Sequence, residues 1–258
     1  MNNLKVALVQ QDIFWEDEEK NISHLDKLLT HIKSKADLVV LPEMFHSGFT
    51  MHPHKVAQSM SGKVIQWMKK KAEELDACLM GSVVYTDGVD YFNRLFVFFA
   101  DGNYQYYDKR HLFSMGNETK HYKRGENRLI FDYKGWKICP LVCYDLRFPV
   151  WSRNQDEYDL LVYVANWPKV RIEVWSTLLR ARAIENQSYV VGVNRVGQDI
   201  SAYYSGDSVA LDAKGKAICE LNNEEETVKI VELNKVHQDA FRKKFPVWKD
   251  SDDFHLVK

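Results

Sequence analysis

The chain has 258 residues, with 35 Lys plus Arg balanced by 36 Asp plus Glu for a formal net charge of −1. That balance argues against a nucleic-acid binder, which would carry a basic excess or stripe. The length suits one large α/β domain over residues 1–258, and apolar residues at 45% with aromatics at 13% can fill its core.

In chain order, Leu4 to Val9 reads as a buried strand, and Ile22, Leu25, Leu29 and Ile32 recur at the spacing of an amphipathic helix over about residues 17 to 35. Asp37 to Leu41 is a second strand, stopped by Pro42. Val64, Met68, Ala72 and Leu75 mark a second helix. Leu79 to Tyr85 and Leu95 to Ala100 are strands, and Asp101-Gly102 turns the chain into a strand over Tyr104 to Tyr107. Lys134-Gly135 then leads into a strand over Trp136 to Val142, and Leu160 to Ala165 is a further buried strand. Ile172, Trp175, Leu179 and Ile184 describe a helix running to about Gln187, followed by a strand over Tyr189 to Asn194. Ser208 to Leu211 and Lys216 to Leu221 pair across Lys214-Gly215. Thr227 to Leu233 is the last strand, and a helix over about 235 to 244 follows it. Helices alternate with strands in both halves and no linker interrupts them, which predicts a layered α/β domain with two sheets and helices outside.

The chemistry collects where strands end, as it does in α/β sheets. One strand ends in Pro42-Glu43, one in Asp108-Lys109, and one in Cys143-Tyr144-Asp145. Amide hydrolysis needs a thiolate to attack the carbonyl, a base to move the proton, and fixed donors for the oxyanion. Cys143 suits the first task, Glu43 the second, and Lys109 with the Tyr144 N–H the third. A nearby cation would also lower the thiol pKa. Taken singly, each residue has a plain reading as a core thiol, a solvated carboxylate or a surface charge.

Three motifs bind them together. Leu41-Pro42-Glu43-Met44-Phe45, Tyr107-Asp108-Lys109-Arg110-His111-Leu112-Phe113 and Val142-Cys143-Tyr144-Asp145-Leu146-Arg147-Phe148-Pro149 resemble, in order and rough separation, the glutamate, lysine and nucleophile motifs of the nitrilase superfamily of carbon–nitrogen hydrolases. The resemblance spans nearly the whole chain. It implies an α/β fold built as a four-layer α-β-β-α sandwich, often paired as a homodimer. It also implies Glu43 as acid/base, Lys109 as oxyanion stabiliser and Cys143 as nucleophile. Many members carry a second glutamate between the lysine and the cysteine. Glu118 stands at that place, with Glu126 as a weaker candidate.

Lys109 to Tyr122, Ala165-Asn166-Trp167-Pro168, and Ala181 to Gln187 with Asn194-Arg195-Val196-Gly197 are similar to the bacterial omega-amidase subgroup. The resemblance implies hydrolysis of the terminal amide of a 2-oxo acid, 2-oxoglutaramate or 2-oxosuccinamate, to the 2-oxo dicarboxylate and ammonia. N-carbamoyl compounds and simple aliphatic amides are alternatives for the same triad, and a binding module with a vestigial site is the other class. A 2-oxo carboxylate needs a cation at the pocket rim. Arg147 is either that clamp or the partner of Asp145 or Glu185 in an ion pair. Arg195 is a weaker clamp candidate. Trp167, Phe45 and Tyr144 either wall the pocket or belong to the core.

His46, His52 and His54 crowd one segment, but Gly48 and Pro53 make it a loop without a single ligand face, so no metal is assigned. Cys139 shares a strand face with Cys143 and reads as a buried thiol. Cys78 and Cys219 form no CxxC pair with them, which suits a reducing cytoplasm. No signal-peptide pattern or membrane span is expected. The chemistry requires no cofactor, and the expected partner is a small amide.

Overall fold

The computed structural model describes residues 3–155 and 158–254. In the first half, β1 (Asn3–Gln10), β2 (Leu38–Val40), β3 (Cys78–Thr86), β4 (Tyr91–Phe98) and β5 (Tyr104–Asp108) are interleaved with α1 (Glu18–Leu28) and α2 (Lys63–Leu75). The second half holds β6 (Phe131–Tyr133), β7 (Trp136–Val142), β8 (Leu160–Ala165), α3 (Ile172–Asn186), β9 (Tyr189–Asn194), β10 (Val196–Gln198), β11 (Tyr203–Ser205), β12 (Val209–Leu211), β13 (Ala217–Glu220), β14 (Thr227–Asn234) and α4 (Lys235–Lys244).

Among the described residues these strands form two six-stranded sheets, ordered β14-β1-β2-β3-β4-β5 and β13-β12-β9-β8-β7-β6, and a ribbon of β10 with β11. In the first sheet β1, β2 and β3 are parallel; in the second, β7, β8 and β9 are. Strand alternation sorts the side chains. Leu4, Val6 and Leu8 of β1 point into the core shared with the second sheet, to which that sheet contributes Ile138, Val142 and Val162. Ala7 and Val9 point the other way, onto Leu25 of α1 and Val64 and Met68 of α2. Both faces of each sheet are covered, which explains the near-continuous apolar runs. On the second sheet, Trp175, Leu179 and Ala183 of α3 complete the α-β-β-α layering. The approach there is close: a Cβ on Gly192 of β9 would lie 2.6 Å from a Leu179 methyl and 2.8 Å from the Trp175 ring.

Several boundaries differ from the sequence reading. The first helix stops at Leu28 rather than near 35. The Asp17 side chain caps it by accepting from the Lys20 N–H. Ile32, although it keeps the helical spacing and is buried, lies in the turn that returns to β2 through left-handed Ser34. β4 begins at Tyr91 rather than Leu95, because Asn93 and Arg94 interrupt the apolar run without interrupting the strand. Ile184 continues α3 but is exposed, off the face that packs on the sheet. The short strands β6, β10 and β11 escaped the reading, since three residues carry too little periodicity. The turns at Gly102, Gly135 and Gly215 fall where expected, each glycine at positive φ.

Candidate active site

The parallel strands β2, β7 and β8 end at the same place, with Glu43 following Leu41-Pro42 past the end of β2, Cys143 directly after β7, and Asn166 directly after β8. β5 delivers Lys109 from the edge of the first sheet, its N–H bonded to Asn93 O at 3.0 Å. Residues more than 60 positions apart thus converge on one point between the two sheets.

At that point Lys109 Nζ donates to Glu43 Oε1 at 2.9 Å and to both oxygens of Glu118 at 3.0 Å. All three side chains are buried. The Asn93 amide bridges the two carboxylates, donating to Glu43 Oε1 at 2.7 Å and towards Glu118 Oε1 at 3.2 Å. Glu43 Oε2 accepts the Asn166 backbone N–H at 2.8 Å. Glu118 Oε2 accepts the Phe113 N–H at 2.5 Å. Burial alone would pull the Lys109 ammonium down, but the charges of Glu118 and Glu43 outweigh it and hold it far above the usual lysine value. Burial pushes the Glu118 carboxyl up; Lys109 opposes the shift and Glu43 adds to it.

Cys143 sits at a sharp turn, with φ +44°, opening the 3₁₀ segment Cys143–Arg147. An L residue pays strain there, and the turn projects the thiol away from the strand. Asp145 holds the turn: its carboxylate accepts from Val142 N at 3.0 Å, Tyr107 Oη at 2.7 Å and His111 N at 2.9 Å. The nucleophile-motif loop is thereby tied to the loop that follows Lys109. The thiol does not have the depressed pKa expected beside a cation. Burial raises it first and the Glu43 charge second; Lys109 lowers it by less, so the resting group is a thiol with a carboxylate in hydrogen-bonding reach.

A cavity of about 440 Å³ opens over these groups and includes Glu43, Lys109 and Cys143 in its lining. Its walls are largely apolar and include the rings of Phe113, Tyr144 and Trp167, and Arg147 and Arg171 reach it as cations. Thiol, carboxylate and ammonium around one cavity suit acyl transfer through a covalent intermediate.

Comparison with known proteins bears directly on this arrangement. The family model described as carbon-nitrogen hydrolase matches residues 5–243. The chain belongs to the carbon–nitrogen hydrolase family. It is 45% identical over 258 residues to "Omega-amidase YafV" of Escherichia coli (strain K12), covering 99% of this chain and 100% of that protein. It is 30% identical over 250 residues to "2-oxoglutaramate amidase" of Bacillus subtilis (strain 168), covering 95% of this chain and 96% of that one. Among solved structures, XC1258 from Xanthomonas campestris, a CN-hydrolase superfamily protein with an arsenic adduct in the active site, superposes with a TM-score of 0.97 at 42% identity over 100% of both chains.

Within this carbon–nitrogen hydrolase, the fold brings Glu43, Lys109, Glu118 and Cys143 together, while Glu126 is exposed. Tyr144, Arg147 and Trp167 line the cavity. The alternative ion pair for Arg147 is not formed: Asp145 serves the loop tie above, and Glu185 pairs with Arg182 at 3.0 Å.

Two expectations are corrected. Phe45 is not a pocket residue. Left-handed Met44 (φ +43°) swings the chain after Glu43, so Phe45 enters the helix-side core against Leu41 and Trp67. Arg195 is not a clamp. It is fully buried, with Nη2 on Asp12 at 3.0 Å, Nη1 on Asp199 at 3.4 Å, and its guanidinium 4.5 Å from the Tyr204 ring centroid. Of the clustered histidines, His46 is buried with Nε2 3.2 Å from Val56 O, and His52 pairs with Glu16 at 2.9 Å. They do not converge with His54 on one point, and no metal-ligating group of three appears among the described residues.

Sequence reading missed Asn93 and Asn166. Asn93 was hidden in a strand thought to start after it. Asn166 stands at a parallel-strand end, where the rule that found Glu43 and Cys143 applies equally.

Proposed function

We propose that residues 1–258 form a single hydrolase domain acting as an omega-amidase on amides of small 2-oxo acids, such as 2-oxoglutaramate or 2-oxosuccinamate. The observation that supports the reading is one cavity lined by Cys143, Glu43, Lys109 and Arg147, with Lys109 bonded to both Glu43 and Glu118. The names of the relatives from Escherichia coli and Bacillus subtilis support this substrate class. The arsenic adduct in the active site of XC1258 is in keeping with a reactive thiol here.

In the proposed cycle Glu43 takes the Cys143 proton as sulfur attacks the amide carbonyl carbon. Lys109 and the Tyr144 N–H stabilise the oxyanion. Glu43 returns the proton to nitrogen, the C–N bond breaks, ammonia leaves and a thioester remains. Glu43 then deprotonates water, which attacks the thioester; the thiolate leaves and regains its proton, and the 2-oxo dicarboxylate departs. Glu118 fixes the lysine between two carboxylates, and Arg147 binds the substrate carboxylate against Trp167. Every step uses groups of this chain. The resting thiol, kept protonated by burial, makes proton transfer to Glu43 part of the attack rather than a prior equilibrium.

The test is ammonia release from 2-oxoglutaramate, glutamine and an N-carbamoyl amine, with Cys143→Ala as control. The reading expects 2-oxoglutaramate to be turned over fastest and Cys143→Ala to be folded and inactive. Preferred turnover of the carbamoyl compound would overturn the substrate, and an active Cys143→Ala enzyme the mechanism. A homodimer in the cytoplasm belongs to the same reading; light scattering on the purified protein tests the dimer.

A further inference from the structure

Six arginines of the described chain fall into two kinds. Arg94, Arg180, Arg182 and Arg195 each hold a carboxylate within ion-pair distance. Arg147 and Arg171 hold none among the described residues, yet both line the cavity. They come from different elements: Arg147 closes the turn after Cys143, and Arg171 closes the turn between β8 and α3. Each guanidinium instead lies near an aromatic ring, Arg147 at 5.1 Å from the Trp167 centroid and Arg171 at 5.5 Å from that of Phe113. Both rings are fixed. Trp167 Nε1 donates to Arg171 O at 2.8 Å, and Phe113 is bound through its N–H to Glu118 and packs edge-on to Tyr144 at 5.1 Å. The rings hold the guanidiniums without neutralising them.

The charge around the cavity is therefore uneven. Glu43, the carboxylate in its lining, is engaged by Lys109, and His52 by Glu16. Two half-buried cations remain without a carboxylate among the described residues, their donors available to an anionic ligand in the cavity.

We propose that Arg171 is a specificity-determining residue which, with Arg147, forms a two-guanidinium wall reading the planar 2-oxo carboxylate end of the substrate and rejecting the corresponding 2-amino acid. This deepens, and rests on, the omega-amidase reading. A 2-oxo carboxylate presents three coplanar acceptor oxygens and no donor, which suits two planar donor forks. A 2-amino acid places an ammonium at the same point. It is repelled by both guanidiniums and leaves part of their donors unpaired, and that kind of penalty discriminates strongly.

The experiment measures kcat and KM of the full-length enzyme and of Arg171→Gln with three amides: 2-oxoglutaramate, glutamine, and pentanamide, a neutral amide of the same chain length. For Arg171→Gln, KM for 2-oxoglutaramate is expected to rise about tenfold or more, with kcat changed less than about threefold. Turnover of pentanamide should stay within about twofold, and the preference for 2-oxoglutaramate over glutamine should shrink. Arg171→Lys, which keeps the charge and loses the fork, should fall between, and it serves if the glutamine variant does not fold. Parallel losses on 2-oxoglutaramate and pentanamide would make Arg171 merely structural; no loss on either would remove it from the site. Both outcomes overturn the proposal. Failure of the wild-type enzyme to hydrolyse 2-oxoglutaramate while cleaving another amide would instead overturn the omega-amidase reading, and it is seen before any variant is made.

Discussion

Asn166 and Glu43 exchange two hydrogen bonds that run the same way from different atoms: the Asn166 N–H donates to Glu43 Oε2 at 2.8 Å, and its side-chain amide donates to Glu43 O at 2.6 Å. The pair joins the end of β8 to the end of β2, and so one sheet to the other, directly at the proposed acid/base. Main chain and carboxylate of Glu43 are both held by a single residue.

Asn166→Ala keeps the backbone donor and loses the side-chain one, leaving the buried Glu43 carbonyl unsatisfied. The expected cost is about 1–3 kcal/mol of stability in urea unfolding. Because Glu43 is loosened rather than removed, kcat for ammonia release should fall about tenfold with a smaller change in KM. An unchanged kcat would show that the pair only joins the sheets.

Lys109 neutralises two buried carboxylates at once. Lys109→Met leaves both uncompensated and should destabilise the fold by about 3–5 kcal/mol. Adding Glu118→Gln removes one of the stranded charges, so the double variant should be more stable than Lys109→Met alone, though equally inactive. Additive losses in the double-mutant cycle would contradict the coupling.

The Cys143 thiol is raised by burial and by Glu43. In difference titrations of thiolate absorbance, the step that Cys143→Ala removes should lie above the free-thiol value of about 8.5, and Glu43→Gln should move it down. The sign for stability follows. Above about pH 8.5 an unfolded thiol loses its proton while the folded one keeps it, so Cys143 destabilises the native state increasingly as pH rises. A thiolate step well below the free value would refute the resting state proposed above.

Burial holds His46 down to about 4 from an ordinary 6.5. Above pH 6.5 it is neutral in both folded and unfolded chains and costs nothing. Between 6.5 and about 4 only the unfolded chain takes up the proton, so stability falls with pH by up to about 3 kcal/mol. Thermal unfolding of the wild type should therefore lose more between pH 7 and pH 4.5 than that of His46→Gln, whose side chain does not titrate in that range. Parallel curves would place the acid sensitivity elsewhere.

Much of this was legible in the chain. The apolar runs located β1, β3, β7, β8 and β9 because a strand covered on both faces leaves an unbroken record. The motifs around Glu43, Lys109, Glu118 and Cys143 named the cluster through their resemblance to one family; residue types alone left each with a plain reading.

What remained was decided by direction and distance. Phe45 and Glu43 are two positions apart, yet a left-handed Met44 sends one into the core and leaves the other at the cavity. Arg147, Arg171 and Arg195 are alike as letters; only the fold shows that Asp12 and Asp199 neutralise the last, while the first two line the cavity with no carboxylate partner among the described residues. Asn93 and Asn166 become site residues only because strands distant in sequence end side by side. A sequence records which groups a chain carries and with what periodicity. Which charges meet, and which are left for a substrate, depends on contacts across some tens to more than a hundred residues, and those exist only once the sheets have packed.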